Sequence, residues 1–483
     1  MKNWSYRMAP QLSGVLLLFA LTFPSRTAMA VSPDDDMSAR LPIHTSHSSA
    51  GASAAALTHL TATSTTAEPV EVDELGLLAQ PALLHQAMAA AIHAGHAAGI
   101  RVLLPVYEKR QDADPAMLAY ARAIDARLRK QPGLAAAYYN ESLYHQPSAH
   151  GIRLQLAEIL IEDQKNSEAA HQLALLPAAM LPETLQHRVA GYQSLLARRS
   201  AWSLQTGIRI LNEENINNAP RRRTAGNWTF DAPVHGRGLA WDADAAKLWT
   251  LTGGRFLSMD ISGWGKHYIG HKRYDDAMLR LAPGLGHADM ANQLRLFPFL
   301  AYRRFGQRIY SRNAGVRVQW DHHWAPRLKT MAAMEAGRQI HPRRRFLDHR
   351  SHLISVAAIY HTNAAQSLLL GLDTYREWDT PDVADRFHMH SLRVDWARQW
   401  PNGIGARLHF NTGLRTYRGP TLLTHDDRRR DHILGSALSV WHRKIDMAGF
   451  TPRLTLSHQR IRSNSALHDW RKRQIAVELQ RAF

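Results

Sequence analysis

Histidines and carboxylates set close together are the residues of this chain that could do chemistry, and they fall in four places. His322-His323 are adjacent, His388 and His390 would share one face of a strand, and His425 precedes Asp426-Asp427. His44 and His47 lie in a stretch rich in Ala, Ser and Thr. Paired strand histidines are a conceivable haem or metal contact, but isolated ones are usually structural, and linker histidines are usually solvated. The 483 residues include no Cys, so thiol chemistry, disulfides and a lipidated N-terminal Cys are excluded. No G-x-S-x-G, H-E-x-x-H or Walker spacing occurs. No catalytic residue, cofactor or metal is therefore expected, and the chain does not read as an enzyme.

The elements around these residues are of two kinds. The chain carries 59 Lys+Arg against 41 Asp+Glu, a net charge of +18, with 45% hydrophobic and 21% charged residues. A sizeable core is possible, and the composition argues against wholesale disorder. Mean hydropathy is −0.34, and beyond residue 30 no apolar run reaches the roughly 18 residues of a membrane helix. Membrane-crossing strands stay open, because their apolar faces alternate with polar ones. Lys2 and Arg7, the apolar stretch Leu12–Phe23 and Ala28-Met29-Ala30 predict a signal peptide over residues 1–30. Residues 31–80 read as a flexible leader. From 81 to 199 the apolar period is helical, as at Leu118, Ala121, Ile124 and Leu128, and Pro115, Pro132, Pro147, Pro177 and Pro182 fall in the breaks. Ala135, Tyr139 and Pro147 are spaced like the small, aromatic and proline positions of a tetratricopeptide repeat.

From residue 200 to 483 the period is two. Ile404, Ala406, Leu408 and Phe410 alternate with Arg407, His409 and Asn411, and fourteen such segments begin near 201, 236, 254, 275, 292, 308, 327, 350, 366, 387, 404, 432, 450 and 470. Short links such as Thr252-Gly253, Ala325-Pro326 and Pro401-Asn402-Gly403 alternate with longer ones such as 213–235, 341–349 and 418–431, with the link at Phe305-Gly306 the exception. That parity predicts a fourteen-stranded antiparallel transmembrane β-barrel whose termini and helical array face the periplasm. Arg209, Arg317, Arg393, Arg407, Arg415 and Arg453 lie on the polar face and should point into the lumen, since each would cost about 2–4 kcal/mol at the lipid midplane. They form either a hydrated wall, with lipopolysaccharide at the rims, or a lumen suited to an acidic passenger. Many of the twelve Trp residues in this half sit near strand ends, as interfacial girdles require. The last strand alternates Ile475, Val477, Leu479, Arg481 and Phe483, and the terminal Phe483 resembles the signal read by the outer-membrane barrel assembly machinery.

The chain resembles the Slam family, the surface lipoprotein assembly modulators, over nearly all of its length beyond residue 80. The local likenesses are the run Asn212, Glu213, Glu214, Asn215, Ile216, Asn217, Asn218, Ala219, Pro220 after the first strand, and Tyr274, Asp275, Asp276 opening the fourth. The resemblance implies periplasmic tetratricopeptide repeats, an outer-membrane barrel, and delivery of client lipoproteins or secreted haem-binding relatives to the cell surface. A rival with the same architecture is an exopolysaccharide exporter, whose basic lumen would conduct acidic sugars. The signal peptide and barrel leave nucleic acid an improbable partner despite the +18 charge.

Overall fold

A computed structural model describes residues 74–177, 181–225, 228–420, 424, 427–447 and 449–482. The signal peptide, His44, His47, His425, Asp426 and Phe483 lie outside the described residues. The helical half is built from α1 (Glu74–Ala79), α2 (Pro81–His93), α3 (Ala97–Glu108), α4 (Pro115–Leu128), α5 (Pro132–His145), α6 (His150–Glu162), α7 (Asn166–Ala174) and α8 (Glu183–Ser200). α1 falls within the stretch expected to be leader. Leu77 and Leu78 hold it there by packing on the buried cluster of Leu84, Met88, Ile100 and Leu104.

Helices pair as α2–α3, α4–α5 and α6–α7, and each pair turns on the same backbone. The N–H of His96 donates to Ala91 O (2.8 Å), that of Gln131 to Ala126 O (2.9 Å) and that of Lys165 to Leu160 O (2.8 Å). The preceding residues, Gly95 (φ 65°), Lys130 (φ 57°) and Gln164 (φ 58°), are left-handed. This is the Schellman closure of a helix, and it recurs after 35 and then 34 residues, the tetratricopeptide period. Ala135 and Tyr139 are fully buried between helices. The Tyr139 hydroxyl donates to Gln155 Oε1 (3.1 Å), and Gln155 Nε2 donates to the Tyr120 hydroxyl (2.7 Å). Burial pushes the Tyr139 phenol up to about 12. Glu158 of α6 accepts from Tyr192 (3.2 Å) and from Arg188, both on α8, and so fastens that helix onto the array.

The strands are β1 (Ser203–Glu213), β2 (Gly236–Thr250), β3 (Arg255–Tyr268), β4 (Asp276–Ala288), β5 (Asn292–Phe305), β6 (Arg308–Ala325), β7 (Leu328–Ile340), β8 (His349–Asn363), β9 (Gln366–Trp378), β10 (Phe387–Gln399), β11 (Ile404–Pro420), β12 (Arg428–His442), β13 (Thr451–Ser463) and β14 (Trp470–Ala482). Each pairs antiparallel with its sequence neighbours, and β14 returns to β1, so the barrel is closed with fourteen strands. Alternation puts apolar side chains on the outside: Ile210, Leu300 and Ile475 are each more than 60% exposed. On the inside small residues make room for large ones, as where the Phe299 ring lies 2.6 Å from where a Cβ on Gly315 would stand.

The strands begin within two residues of the expected positions except β12, which starts at Arg428 rather than 432. Its basic opening reads as loop, but Arg429 and Asp431 turn inward and the ladder with β11 extends through Thr416–Arg430 to Pro420–Arg428. The exceptional short link is a two-residue hairpin in which Gly306 (φ 54°) and Gln307 (φ 66°) are both left-handed, as a type I′ turn requires. Tryptophans gather at the periplasmic strand ends, with Trp202 against Trp249 (6.1 Å), Trp396 against Trp400 (6.1 Å), and Trp320 and Trp324 on either side of His322. Trp264 and Trp470 depart from the girdle pattern, being buried on inward-facing positions.

Lys130 bears a Cβ in a conformation that costs a non-glycine residue about 1 kcal/mol. K130G should therefore raise the thermal unfolding temperature of the helical domain, and K130V, β-branched at the same φ, should lower it, as followed by circular dichroism at 222 nm.

Candidate functional site

Three features of the barrel bear on passage across the membrane: its periplasmic mouth, its lumen and its extracellular end. At the mouth the helical array is seated on the periplasmic turns. The Gly253 N–H donates to Glu168 Oε1 of α7 (2.6 Å), and the Met290 N–H donates to Asp163 Oδ1 at the end of α6 (3.3 Å). Met290 also packs on the apolar core of the helices. The turns Thr252–Gly254 and 289–291 both follow downward strands, so the array is on the side that loop parity assigns to the periplasm.

In the lumen the structure places all six sequence-selected arginines inward. Each faces a partner of opposite charge or a ring. Arg209 lies 3.3 Å from Asp242, Arg317 lies 3.4 Å from Glu335, and Arg393 lies 2.7 Å from Asp373. Arg407 shares Asp395 with His409, at 3.0 Å each. Arg453 stacks on Trp441 at 4.5 Å. Arg415 is fully buried, 2.7 Å from Asp431, and rests on the Phe387 and Tyr417 rings. Sequence reasoning singled out these cations and missed their carboxylates. The available signal was register: Arg415 and Asp431 stand directly opposite each other in the β11–β12 ladder. A guanidinium buried without its carboxylate would cost about 3–5 kcal/mol, which is why the charges come paired.

Near the extracellular end the inner wall carries two buried apolar clusters. Phe387, Met389, Tyr417, Ile433, Ile461 and Trp470 form one buried cluster on the inner wall of β10–β14. On the other side the two family-like motifs meet: Ile216 packs with Leu211, Ala240 and Tyr268, and Tyr274 joins the same cluster. Asn215 closes its loop by accepting from Ala219 N–H (2.8 Å) and donating to Ala219 O (2.9 Å). Asn217 bridges to Val234 N–H (2.9 Å) and Ala232 O (2.8 Å). Pro220 is buried, whereas Asn212 and Glu214 are exposed and take no part in the cluster. Asp275 accepts from Tyr268 N–H (2.9 Å) and lies 2.8 Å from His267, while Asp276 is paired with Arg303.

The seam between β1 and β14 is strapped at this end. Glu213 on β1 is fully buried and holds Lys472 of β14 (3.7 Å), Lys266 (3.0 Å) and the Tyr268 hydroxyl. The Arg221 N–H donates across the seam to Asp469 O (2.9 Å). In the loops, burial and then Asp382 and Glu377 push the Asp385 carboxyl up to about 6. The protonated form is thus the one the fold favours, and this stabilisation fades as pH rises through about 6. Burial, then His349, depresses His341 to about 4. Among the described residues no group of three His, Cys, Asp or Glu is placed to hold a metal. His322 instead sits 2.8 Å from Asn292 Oδ1, and His388 faces His390 at 5.8 Å on the outer surface.

A closed fourteen-stranded barrel with a helical-repeat domain seated on its periplasmic turns defines an outer-membrane barrel protein with a periplasmic repeat domain. Residues 202–483 match the family described as Surface lipoprotein assembly modifier, and residues 70–173 match that family's N-terminal TPR repeats. The chain belongs to this family. It is 34% identical to Surface lipoprotein assembly modifier 1 of Neisseria meningitidis serogroup B, over 86% of each chain. It is 32% identical to the Surface lipoprotein assembly modifier of Moraxella catarrhalis, over 85% of this chain and 82% of that one. The Hemophilin secretion modulator of Acinetobacter baumannii is 22% identical over 79% and 82%.

The Glu168 contact should hold the array on the barrel. E168A is expected to speed amide hydrogen exchange at 252–254 without changing exchange within β2 and β3. Unchanged protection of the turn would show that the helices are held elsewhere.

Proposed function

We propose that this protein carries a partner polypeptide across the outer membrane, delivering either a surface lipoprotein or a related secreted haem-binding protein. The observation that carries this reading is the attachment of the repeat array to the periplasmic turns at 252–254 and 289–290. A stack of helical hairpins offers a groove for a polypeptide, and here that groove is fixed at the barrel mouth rather than tethered to it. The names of the relatives in Neisseria, Moraxella and Acinetobacter, which speak of lipoprotein assembly and of hemophilin secretion, support the same class of client.

The lumen favours a polypeptide client over an acidic polysaccharide. An exporter of acidic sugars needs cations turned to the passenger, whereas Arg209, Arg317, Arg393, Arg407 and Arg415 are turned to carboxylates. With apolar clusters buried on the inner wall near the extracellular end, the path we favour runs along the wall at the β1–β14 seam. There the ladder is intact from Gln205–Ala482 to Ile210–Val477 and is taken up again at Glu213–Gln474. An opened edge would template the client's own strands by β-augmentation, and folding of the client outside would supply the driving force. Insertion of the barrel itself would pass through the barrel assembly machinery, with Phe483 as its recognition residue.

Co-expression with a neighbouring client gene, followed by protease shaving of intact cells or assay of the medium, tests the proposal. Surface or secreted client should fall to background when this gene is deleted and return on complementation. Unchanged delivery in the deletion strain would sink the idea.

A further inference from the structure

The outer surface of β12–β14 changes character abruptly near the extracellular end. Below, the outward residues are Leu434, Leu438, Leu454, Leu456, Ile475 and Val477, all well exposed as a lipid-facing wall must be. Immediately above them come His432, His458, Arg460, Arg462, Arg471 and Arg473. The ladders set these cations against one another: Arg460 stands opposite Arg471, His458 opposite Arg473, and His432 opposite Arg462. Opposed residues on one sheet face have Cβ atoms only about 5 Å apart, and like charges so placed repel.

Two other rim arginines have local partners. Arg350 lies over Trp378 and 3.5 Å from Asp379, and Arg312 lies over Tyr302. On β13 and β14 the pattern differs: among the described residues Arg460, Arg462, Arg471 and Arg473 have no carboxylate partner, and Arg460 Nε is buried with nothing to donate to. The corresponding outward positions of β1, β3 and β4 are Ile210 and Asn212, Gly265 and His267, and Ala277 and Leu279. Arg237, Arg338, Arg376, Arg418 and Arg430 also face outward near the extracellular end, and Arg338 stands opposite Arg350, but β13 and β14 are where four arginines crowd two neighbouring strands beside the seam.

The strand geometry fixes how deep this sector lies. His458 is five residues below the end of β13, roughly 17 Å along the strand at about 3.3 Å per residue, and less along the membrane normal because barrel strands tilt. The cations occupy the level where acyl chains end and headgroups begin. What meets them must be anionic, must lie laterally against a membrane-facing wall, and must have an apolar body continuous with the lipid below. Phosphate suits guanidinium well, since its oxygens match the planar fork of donors.

We propose that the outward face of β12–β14 is a binding site for lipopolysaccharide, in which Arg460, Arg471, Arg462 and Arg473 hold the phosphates of lipid A and Leu456 and Ile475 meet its acyl chains. The bound phosphates offset the repulsion between the opposed arginines. The lipid thereby stabilises the strand that closes the barrel, β14, and couples the seam to the composition of the outer leaflet. Phospholipid headgroups offer a single phosphate and would match the four guanidinium groups less well.

Native mass spectrometry of the full-length protein in detergent, with added diphosphoryl lipid A or the same lipid dephosphorylated, tests this. The unaltered chain should prefer the diphosphoryl form by about ten-fold or more. R460Q/R471Q should lose the preference, and R304Q/R312Q on the opposite wall should keep it. R471E, which sets an opposite charge across from Arg460, gives an independent readout: without lipid A it should unfold at a higher temperature than the unaltered chain, and it should bind lipid A more weakly. Heat-modified migration on gels verifies that each variant is a folded barrel. Equal binding of the two lipids by the unaltered chain, undiminished preference in R460Q/R471Q, or displacement of lipid A by poly-glutamate at matched charge would each overturn the assignment, the last in favour of an acidic polypeptide.

Discussion

The closure of β1 onto β14 is the constraint on which everything else in this molecule depends. In a bilayer no water reaches the wall, so each backbone N–H and C=O must be paired within it, and only a closed sheet achieves that. Closure sets the strand count at fourteen and the parity of the loops, and parity places the helical array in the periplasm. It also creates an interior, which must then be filled or hydrated. Here the inner wall is lined near the extracellular end by apolar and aromatic residues and along its length by guanidinium groups matched to carboxylates. The charge that looked like a lumen built to attract a passenger is largely spent inside the wall.

The closing ladder is itself incomplete, as is the one between β4 and β5, which skips from Leu281–Leu300 to Leu285–Leu296. The ladder between β1 and β14 is interrupted between Ile210 and Glu213, whereas β1 and β2 pair at every residue from Ser203 to Glu213. What compensates is local: Glu213 with Lys472 and Lys266, and the Arg221 amide on Asp469. The Asn212–Pro220 run folds the loop that makes these straps, and Tyr274 packs on it. These residues therefore act on the seam through the shape of the loop. The helical array touches the barrel at the opposite, periplasmic end, so the array and the seam straps are separated by the thickness of the membrane.

Much of this was legible in the sequence, because period-two alternation and turn residues are strong local signals. The strand starts, the inward arginines and even the exceptional hairpin at Gly306 followed from them. The helical repeat was harder to read. Its turns are marked by backbone conformation at Gly95, Lys130 and Gln164, three different residue types doing the same work, so no residue identity repeats at the turns. α1 escaped because six residues are too few to show a helical stripe, and its order comes from packing on α2 and α3. The carboxylate partners of the arginines lie on sequence-adjacent strands and depend on the exact register of each hairpin, which strand starts uncertain by one or two residues do not fix. Trp264 and Trp470 turn inward for the same reason: alternation allows either face, and the space beside Arg303 and Tyr417 decides it.

The central claim, that a partner is delivered along the β1–β14 seam, can be tested with one pair of cysteines in a chain that has none of its own. Ile208 stands directly opposite Leu479 across the seam and opposite Trp241 across the β1–β2 ladder. Protease-accessible client on intact cells should be lost when I208C/L479C is oxidised and restored by reductant, while oxidised I208C/W241C should deliver normally. Undiminished delivery through an oxidised I208C/L479C seam would contradict passage along that wall.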